Sequence, residues 1–423
     1  MLNPDSVAAV AAARFGERFV RPIYDGYGFA CIPGTVERLL TGGGGPALPE
    51  AALGGLGQRH ERVVLLLIDA FGWRFFAPRA EADPFLRRFL GDGVVSRLTT
   101  MFPSTTSAHV TALHTGRPPA ASGVFEWFFY EPSLGRVIAP LLFSFAGDRG
   151  RETLADAGVD PAFLVAGDTL YQRLAARGVR SSVYQHASYA HSTYTGAVCA
   201  GAELVPYRTL AEAITLLGAR LAAEPGPAYH FLYVDTVDTI CHLYGPESPH
   251  VAAELDAVLT TCERLLVPAL AGAGRPALLL LAADHGQIAI DPARAHMLNR
   301  TIPGLEAATP RGADGRPLAP SGSSRDLFLY LEQGREAAFA QTIALALAGR
   351  AEVHRTAELV AAGMFGPAPS AAFLSRLGGL AVLPYAGETV WWDDQRFQVR
   401  FRGSHGGLTP EEAHTQLAAL GFG

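Results

Sequence analysis

The sequence contains no lysine, so arginine supplies all 34 of its basic side chains. This absence excludes three chemistries that need a lysine ammonium: a phosphate-binding P-loop, a Schiff base with a carbonyl substrate, and a Ser–Lys catalytic dyad. A catalytic nucleophile in this chain must therefore be activated by a histidine, a carboxylate or a metal ion.

Cysteine is also rare, and the 4 cysteines show no Cys-x-x-Cys spacing, which argues against a disulfide framework or a zinc ribbon. No apolar run reaches the roughly 18–20 residues that a membrane-spanning helix needs. Charged residues interrupt the apolar stretch at the N-terminus, so we expect no signal peptide. The net charge of −6 argues against a nucleic-acid polymer as a partner. We therefore expect a cytoplasmic protein with no membrane partner.

Continuous apolar runs that end in an acidic residue occur three times. They are "RVVLLLID", which ends at Asp69, "AYHFLYVD", which ends at Asp235, and "PALLLLAADHG", which carries Asp284 and His285. Such runs are typical of strands buried on both faces of a parallel sheet. Predicted helices at residues 207–223 and 252–270 separate the runs, and a further strand is predicted at "RSSVYQ". The sequence thus predicts an α/β fold with a mostly parallel central sheet and helices on both faces.

Two segments fit this pattern less well. Residues 125–165 are rich in aromatic side chains, and residues 300–395 contain the loop-like stretch "TPRGADGRPLAPSGSSRD". We interpret both as insertions or cap elements that shape a pocket. The chain as a whole, residues 1–423, is interpreted as a single domain without an internal repeat.

Carboxylates and imidazoles are placed where they could bind two divalent metal ions. Ligands collect at the carboxyl ends of parallel strands, where the apolar runs put their acidic residues. Asp238 and His242 are four residues apart, which on a helix places both on one face, although Asp235 remains an alternative. His405 lies in "RGSHGG", whose glycines allow the backbone to bend closely around an imidazole. Three carboxylates and three imidazoles suit zinc and tolerate manganese or iron.

A candidate nucleophile lies in "MFPSTTSAHVTALHTG", residues 101–116. Hydroxyls at the start of a helix, after a proline, are well placed to receive a phosphoryl group, because free backbone N–H groups and the helix dipole favour negative charge. A metal ion could supply the activation that the hydroxyl lacks. The alternative is that "PSTTS" merely caps the helix.

Together and in this order, "LLLID", "FPSTT", "DTICHLYGP", "ADHG" and "GSHGG" resemble the alkaline phosphatase superfamily, and in particular its type I phosphodiesterase/nucleotide pyrophosphatase branch. The resemblance spans residues 62–407 and selects Asp238 over Asp235 as the partner of His242. It implies two metal sites, of which the first comprises Asp238, His242 and His405, and the second comprises Asp69, Asp284, His285 and the nucleophile Thr106.

The resemblance also implies an activity. Within "FPSTT", the family's nucleophilic threonine falls on Thr106, while Thr105 occupies a position that is often lysine. The expected enzyme is a bimetallic phosphohydrolase that cleaves phosphodiester or pyrophosphate bonds of a small phosphoester through a phospho-threonine intermediate. The alternatives are a phosphomonoesterase or phosphonate hydrolase on the same site, a metal-dependent phosphomutase, or a non-catalytic binding protein.

The substrate pocket departs from the family pattern. The stretch "GVFEW" puts Trp127 where the family has an asparagine that donates to a phosphate oxygen. Tyr189 and Tyr194 are candidates to line the leaving-group pocket, although a surface loop is the alternative. Arg325 is a candidate contact for a substrate anion, with a surface ion pair as the alternative. The leaving group and the oligomeric state are not defined by the sequence.

Overall fold

The computed structural model describes residues 1–394 and 400–423. The strands in these residues are β1 (Arg14–Phe15), β2 (Phe19–Val20), β3 (Arg62–Ile68), β4 (Val94–Thr99), β5 (Phe129–Glu131), β6 (Arg136–Ala139), β7 (Ser144–Phe145), β8 (Arg180–His186), β9 (Glu203–Tyr207), β10 (Ala228–Val234), β11 (Ala277–Ala282), β12 (Ile288–Ala289), β13 (His296–Met297), β14 (Ser321–Ser323), β15 (Asp326–Leu329), β16 (Ala351–Arg355), β17 (Leu380–Pro384), β18 (Val390–Trp391), β19 (Gly403–Ser404) and β20 (His414–Phe422).

The α-helices in the same residues are α1 (Pro4–Ala12), α2 (Ile32–Thr41), α3 (Trp73–Phe76), α4 (Pro84–Gly91), α5 (Thr106–Thr115), α6 (Pro119–Ser122), α7 (Thr153–Asp156), α8 (Leu170–Ala175), α9 (Thr193–Val198), α10 (Leu210–Ala223), α11 (Thr236–Tyr244), α12 (Pro249–Thr261), α13 (Val267–Ala271), α14 (Leu298–Thr301), α15 (Glu336–Ala346), α16 (Thr356–Ala361), α17 (Ala371–Arg376) and α18 (Pro410–Ala413). A π-helical turn, Cys262–Leu266, joins α12 to α13.

The central sheet has seven strands in the order β4–β20–β11–β3–β10–β8–β9. All of them run parallel except β20, which is antiparallel to both of its neighbours. Along β3, alternate side chains enter two hydrophobic cores on opposite faces of the sheet. One core contains side chains of α2, α5 and α8, and the other contains side chains of α4, α10 and α12. The predicted α/β fold with helices on both faces of a mostly parallel sheet is therefore confirmed.

The register of the sheet aligns the carboxyl ends of its central strands. Ile68 of β3 lies beside Val234 of β10, and Leu67 of β3 lies beside Ala282 of β11. The acidic residues that follow these strands consequently meet at one edge of the sheet, as the three apolar runs predict.

Three strands of this sheet, β4, β9 and β20, were not predicted from the sequence. The helix predicted at residues 207–223 begins only at Leu210, because Glu203–Tyr207 forms β9. This strand pairs only with β8 at the sheet edge, where Pro206 is tolerated even though it lacks an N–H group. The C-terminal strand β20 inserts between β4 and β11, although its polar residues give no clear strand pattern.

The two proposed insertions form small sheets of their own. Within residues 125–165, β5, β6 and β7 make a three-stranded antiparallel sheet. Within residues 300–394, β14, β15, β17 and β16 make a four-stranded sheet with a separate hydrophobic core. Residue 395, the last of the second proposed insertion, lies outside the described residues. The division into one domain with two insertions stays a prediction. In the described parts of the chain, no helix has the length and apolar character to cross a membrane.

Candidate active site

The nucleophile candidate opens helix α5. Thr106 is the first residue of the helix, and Thr105 precedes it in an extended conformation. The side chain of Thr105 accepts no capping hydrogen bond from the helix, which argues against a mere capping role for this pair. Thr106 is 7% exposed, and its Oγ1 lies 3.1 Å from Nε2 of His285 and 3.5 Å from Oδ2 of Asp69. A hydroxyl held at a helix N-terminus among ionisable groups has the placement that a nucleophile needs.

Hydrogen bonds fix the loop that carries this hydroxyl. The ring of His109, which is fully buried, accepts from the Met101 N–H at Nε2 and contacts the Thr105 carbonyl oxygen at 2.8 Å through Nδ1. The Ser104 N–H donates to the Gly406 carbonyl at 3.1 Å. His109 therefore has a structural role, and the loop is tied to the segment that carries His405.

A first group of metal-ligand side chains comprises Asp238, His242 and His405. Asp238 and His242 lie one turn apart on α11, with Oδ2 of Asp238 3.4 Å from Nε2 of His242. The other carboxylate oxygen of Asp238 is 3.7 Å from Nε2 of His405. The sequence-predicted residues of this site thus come together.

A second group surrounds His285. Its Nε2 lies 3.4 Å from Oδ1 of Asp69 and 3.3 Å from Oδ2 of Asp284. One ligand atom from each of Asp69, Asp238 and His285 lies within 4.8 Å of the others, so Asp238 borders both groups. The residues of the second predicted site are also assembled, together with Thr106.

The three imidazole rings are oriented in the same way, by hydrogen bonds to the backbone. In each ring, Nδ1 lies next to a backbone carbonyl oxygen. For His242 this is the oxygen of Gly403, at 2.8 Å. For His285 it is that of Gly286, at 3.0 Å, and for His405 that of Ser104, also at 3.0 Å. A carbonyl oxygen can only accept, so each Nδ1 carries a proton, and in the neutral form of each ring the lone pair is on Nε2. Backbone hydrogen bonds of this kind orient histidine ligands in metal sites.

The charges and pKa values of the candidate ligand side chains favour a bound cation. Burial and repulsion from neighbouring carboxylates raise the pKa of Asp69 well above its usual value and the pKa of Asp284 to about 7. Burial also lowers the pKa of His405 to about 4, which keeps this imidazole neutral. Oδ1 of Asp69 and Oδ2 of Asp284 are buried and accept no hydrogen bond from the described residues. Oxygen atoms left unpaired around neutral imidazoles form the donor set that a divalent metal ion prefers.

Two uncharged side chains orient the carboxylates, and the sequence analysis missed both. Tyr233 donates its phenolic O–H to Oδ2 of Asp69. Gln287 donates a side-chain N–H to Oδ1 of Asp238 at 2.5 Å. Tyr233 lies two residues before Asp235, and Gln287 lies two residues after His285. This closeness in sequence to candidate ligands was the feature that could have identified them.

Asp235 lies outside both ligand groups. It occupies the residue before α11, and its Oδ2 accepts a 2.8 Å hydrogen bond from the Tyr189 hydroxyl. This position agrees with the choice of Asp238 as the partner of His242, although the ligand roles themselves stay predictions.

Two cavities meet at Thr106, Trp127 and Asp238, which line both of them. The aromatic lobe has a volume of about 430 Å³. It is lined mainly by Trp127, Phe128, Ile290, Trp391 and Phe401. The polar lobe has a volume of about 180 Å³. Val110 and Leu141 give it some apolar lining, and the polar residues that line it away from the ligand groups include Arg151, Gln185, Tyr189, Ser192, Thr195, Asp235 and Thr239.

The predicted substrate-pocket residues reach these lobes with one exception. Trp127 lines both, while Tyr189 and Tyr194 line the polar lobe, where Tyr194 is hydrogen-bonded to Thr111. Arg325 is fully buried and pairs with Glu412, and its remaining N–H groups reach backbone carbonyls. Both expectations for Arg325 were therefore wrong, because its guanidinium is neither on the surface nor has a donor left for substrate.

A buried pair of carboxyl groups underlies Trp127. Glu126 and Asp326 are both fully buried. Burial raises the pKa of Glu126 to about 7, and burial together with repulsion from Glu126 raises the pKa of Asp326 well above its usual value. Glu126 also accepts the backbone N–H of Trp127, which lines the pocket.

The glycines around His405 are required by close backbone packing. A Cβ at Gly403 would lie 2.4 Å from the Cys241 carbonyl oxygen, and one at Gly406 would lie 2.4 Å from Oδ1 of Asp326. Gly406 also has φ near +121°, in the region that disfavours other residues. The "GSHGG" stretch can therefore approach α11 and β15 closely enough to hold His405 in the site.

Comparison with known families decides the identity of this arrangement. Residues 63–406 match the family of type I phosphodiesterases and nucleotide pyrophosphatases. The chain belongs to this family. A search among curated proteins gave no match. The phosphodiesterase family assignment makes the chain a hydrolase with phosphodiesterase/nucleotide pyrophosphatase activity, and its candidate metal-ligand groups agree with a family that is typically bimetallic.

Solved structures of this family share the fold. Murine ectonucleotide pyrophosphatase/phosphodiesterase 5, as an inactive threonine-to-alanine variant in complex with AMP, is similar with a TM-score of 0.64 and 16% identity. The similarity covers 85% of this chain and 88% of that one. The human protein of the same name has a TM-score of 0.63 and 15% identity, covering 85% of this chain and 87% of its own.

Proposed function

We propose that this family member hydrolyses phosphodiester or pyrophosphate bonds with Oγ1 of Thr106 as the nucleophile. The observation that carries this proposal is the position of that oxygen. It lies at the N-terminus of α5, 3.1 Å from Nε2 of His285, between the two groups of ligand side chains. The inactive threonine-to-alanine variant of the murine relative, which is in complex with AMP, supports a threonine as the reactive group and a nucleotide-like substrate.

The reaction proceeds in two displacements. Thr106 gives up its hydroxyl proton to solvent water, and Oγ1 forms a bond to phosphorus while the bond from phosphorus to the leaving oxygen breaks. The leaving oxygen takes up a proton from water, and the rest of the substrate stays bound to Thr106. A water molecule then attacks phosphorus, breaks its bond to Oγ1 and restores the threonine hydroxyl. The backbone N–H groups of the first turn of α5 favour the negative charge on the phosphoryl group.

The residues present fit two divalent metal ions. Asp238, His242 and His405 would hold one ion, and Asp69, Asp284, His285 and Thr106 would hold the other. When bound, the ions would lower the pKa of the Thr106 hydroxyl and stabilise charge that develops on the phosphoryl and leaving oxygens. Three imidazoles and three carboxylates favour zinc, and manganese or iron are the alternatives.

The charge of the site favours a singly charged substrate. Two divalent ions against three aspartates leave a formal charge of about +1, which suits a diester or a pyrophosphate-type bond. The aromatic lobe beside Thr106 also favours an apolar substituent over an additional phosphate oxygen. A phosphomonoesterase is the second candidate. Arg151 in the polar lobe supports it, because a dianionic monoester needs a further cation.

The distinction between these candidates rests on relative rates. We expect higher kcat/KM for bis-p-nitrophenyl phosphate and thymidine 5′-p-nitrophenyl phosphate than for p-nitrophenyl phosphate on one metal-loaded preparation. A preference for the monoester of more than about tenfold, which corresponds to ~1.4 kcal/mol in transition-state stabilisation, would contradict the diesterase assignment. Transfer of phosphate between two positions of one substrate would instead favour the phosphomutase.

A further inference from the structure

Beside the nucleophile, the polar lobe presents a hydrogen-bond donor and a hydrogen-bond acceptor that no described residue pairs. Gln185 lies near the carboxyl end of β8 and is 6% exposed. Its Oε1 accepts a hydrogen bond from Thr195, but its Nε2 donates to no acceptor among the described residues. This side chain therefore offers two N–H donors to the lobe that it lines.

Asp235 supplies the complementary acceptor on the same lobe. Its Oδ2 accepts from the Tyr189 hydroxyl, whereas its Oδ1 accepts no hydrogen bond from the described residues. Because Asp235 lies outside both candidate metal groups, its free oxygen is available to a ligand. The hydroxyls of Ser192 and Thr239 add donors and acceptors to the lining.

The lobe is also small. Its volume of about 180 Å³ is less than half that of the aromatic lobe, so it suits the smaller substituent of a diester, such as a glycerol or a pentose. The neighbouring aromatic lobe differs in both size and polarity. The two lobes meet at Thr106, so the two substituents of a diester can enter different lobes.

We propose that the polar lobe binds a substituent with adjacent hydroxyl groups, such as a glycerol or a sugar, on a phosphodiester whose other substituent is apolar or aromatic. One hydroxyl oxygen accepts from Gln185, and a neighbouring hydroxyl donates to Asp235. This pairing distinguishes a diol from an alkyl group, because an alkyl group would leave the Gln185 donor and the Asp235 acceptor without a partner on the substrate. The inference rests on the proposed phosphodiesterase function and specifies its substrate class.

Two diesters with the same charge and the same leaving group test this inference. They are n-propyl p-nitrophenyl phosphate and glyceryl p-nitrophenyl phosphate, which differ only in the two hydroxyl groups. For the metal-loaded wild-type protein, we expect kcat/KM to be at least about tenfold higher for the glyceryl ester, since a site built to pair hydroxyl groups discriminates strongly against their absence.

Variants assign this preference to the lobe. Gln185→Leu removes the donors, and Asp235→Asn removes the free carboxylate oxygen while it keeps the size of the side chain. Each variant should reduce the preference for the glyceryl ester to about threefold or less. The main change should be a lower kcat/KM for the glyceryl ester. Gln333→Leu is the matched control, because Gln333 is exposed in the turn before α15 and lines neither lobe. It should retain the wild-type preference. If Gln185→Leu fails to fold, as judged by circular dichroism, the result for Asp235→Asn alone tests whether the preference arises in the polar lobe.

The outcomes separate this inference from the proposed function. Hydrolysis of both esters at equal kcat/KM by the wild-type protein would overturn the diol site and leave the phosphodiesterase intact. A preference that survives in both folded variants would also overturn the diol site. Release of nitrophenol from neither ester would overturn the proposed function, and the substrate inference with it.

Discussion

The side-chain amide of Gln287 donates a 2.5 Å hydrogen bond to Oδ1 of Asp238, the carboxylate that borders both groups of ligand side chains. Asp238 is thus oriented by a neutral donor rather than by an ion pair with arginine, which leaves its negative charge available to a cation. The neighbouring Asp235 pairs with Tyr189 instead. This difference between two aspartates on one segment leads to the first prediction.

Asp238→Asn should weaken binding of at least one metal ion by ~10–100-fold, because an uncharged amide is a poor ligand for a divalent ion. Asp235→Asn should alter kcat/KM more than metal content, since Asp235 lies outside the ligand groups. Metal titration of both variants, followed by elemental analysis after gel filtration, measures the difference. Equal metal loss in the two variants would contradict the assignment of Asp238.

Thr106→Ala should lower kcat by at least ~10³-fold, because it removes the oxygen that attacks phosphorus. Thr105→Ala is the matched variant of the neighbouring residue and should cost far less, since Thr105 belongs to neither ligand group. Steady-state kinetics at saturating metal measure both. A larger loss in Thr105→Ala would make Thr105 the better candidate nucleophile.

The metal-loaded protein should contain about two divalent ions per chain, and a chelator should abolish turnover. His405→Ala should lose one ion and remain folded, because its imidazole contributes only one ligand atom to a loop held by backbone hydrogen bonds. His250→Ala, at an exposed position outside both groups, is the control and should keep both ions. Elemental analysis and circular dichroism test this, and full activity with far less than one ion per chain would be incompatible with it.

The stability of the metal-free protein should depend on Asp284. Its pKa is raised to about 7 in the folded state from an ordinary 3.8, so the folded state binds more protons than the unfolded state between these pH values. The stabilising contribution of the protonated group is complete below about pH 4 and is lost as pH rises toward 7. In chelator, Asp284→Asn should therefore be more stable than wild type at pH 7, by up to about 4 kcal/mol, and the gain should vanish near pH 4.

Denaturant unfolding of wild type and Asp284→Asn across this pH range provides the measurement. The two proteins are compared directly because buried histidines, including His405, contribute an opposite pH dependence that both share. A difference that stays constant with pH, or that grows toward acid, would show that Asp284 is not destabilised by its charge.

The sequence predicted those strands and candidate ligands that are specified by a local sequence pattern. Runs such as "RVVLLLID" are continuous because β3 is buried on both faces, and the aspartate that ends each run lies at the carboxyl edge as a consequence. Asp238 and His242 share a helix face, as their spacing requires. These features depend on short stretches of chain, which is why a single sequence carries them.

Features that depend on contacts between distant segments could not be predicted. Arg325 and Glu412 are 87 residues apart, and no local pattern indicates that they form a buried ion pair. The orientation of Asp69 by Tyr233 and the two lobes around Thr106 likewise depend on the packing of separate strands and insertions. The edge strand β9 was missed because tertiary pairing overrides the weak propensity of its sequence.

The central claim is that Thr106 carries the phosphorus during turnover, and trapping of the covalent intermediate tests it most directly. The metal-loaded protein is mixed with bis-p-nitrophenyl phosphate, quenched in acid within the first turnover, and digested for mass spectrometry. We predict that the peptide from residues 98–117 carries the nitrophenyl phosphate group on Thr106 and that Thr106→Ala yields no adduct. An adduct on Thr105, or on any residue other than Thr106, would contradict the account.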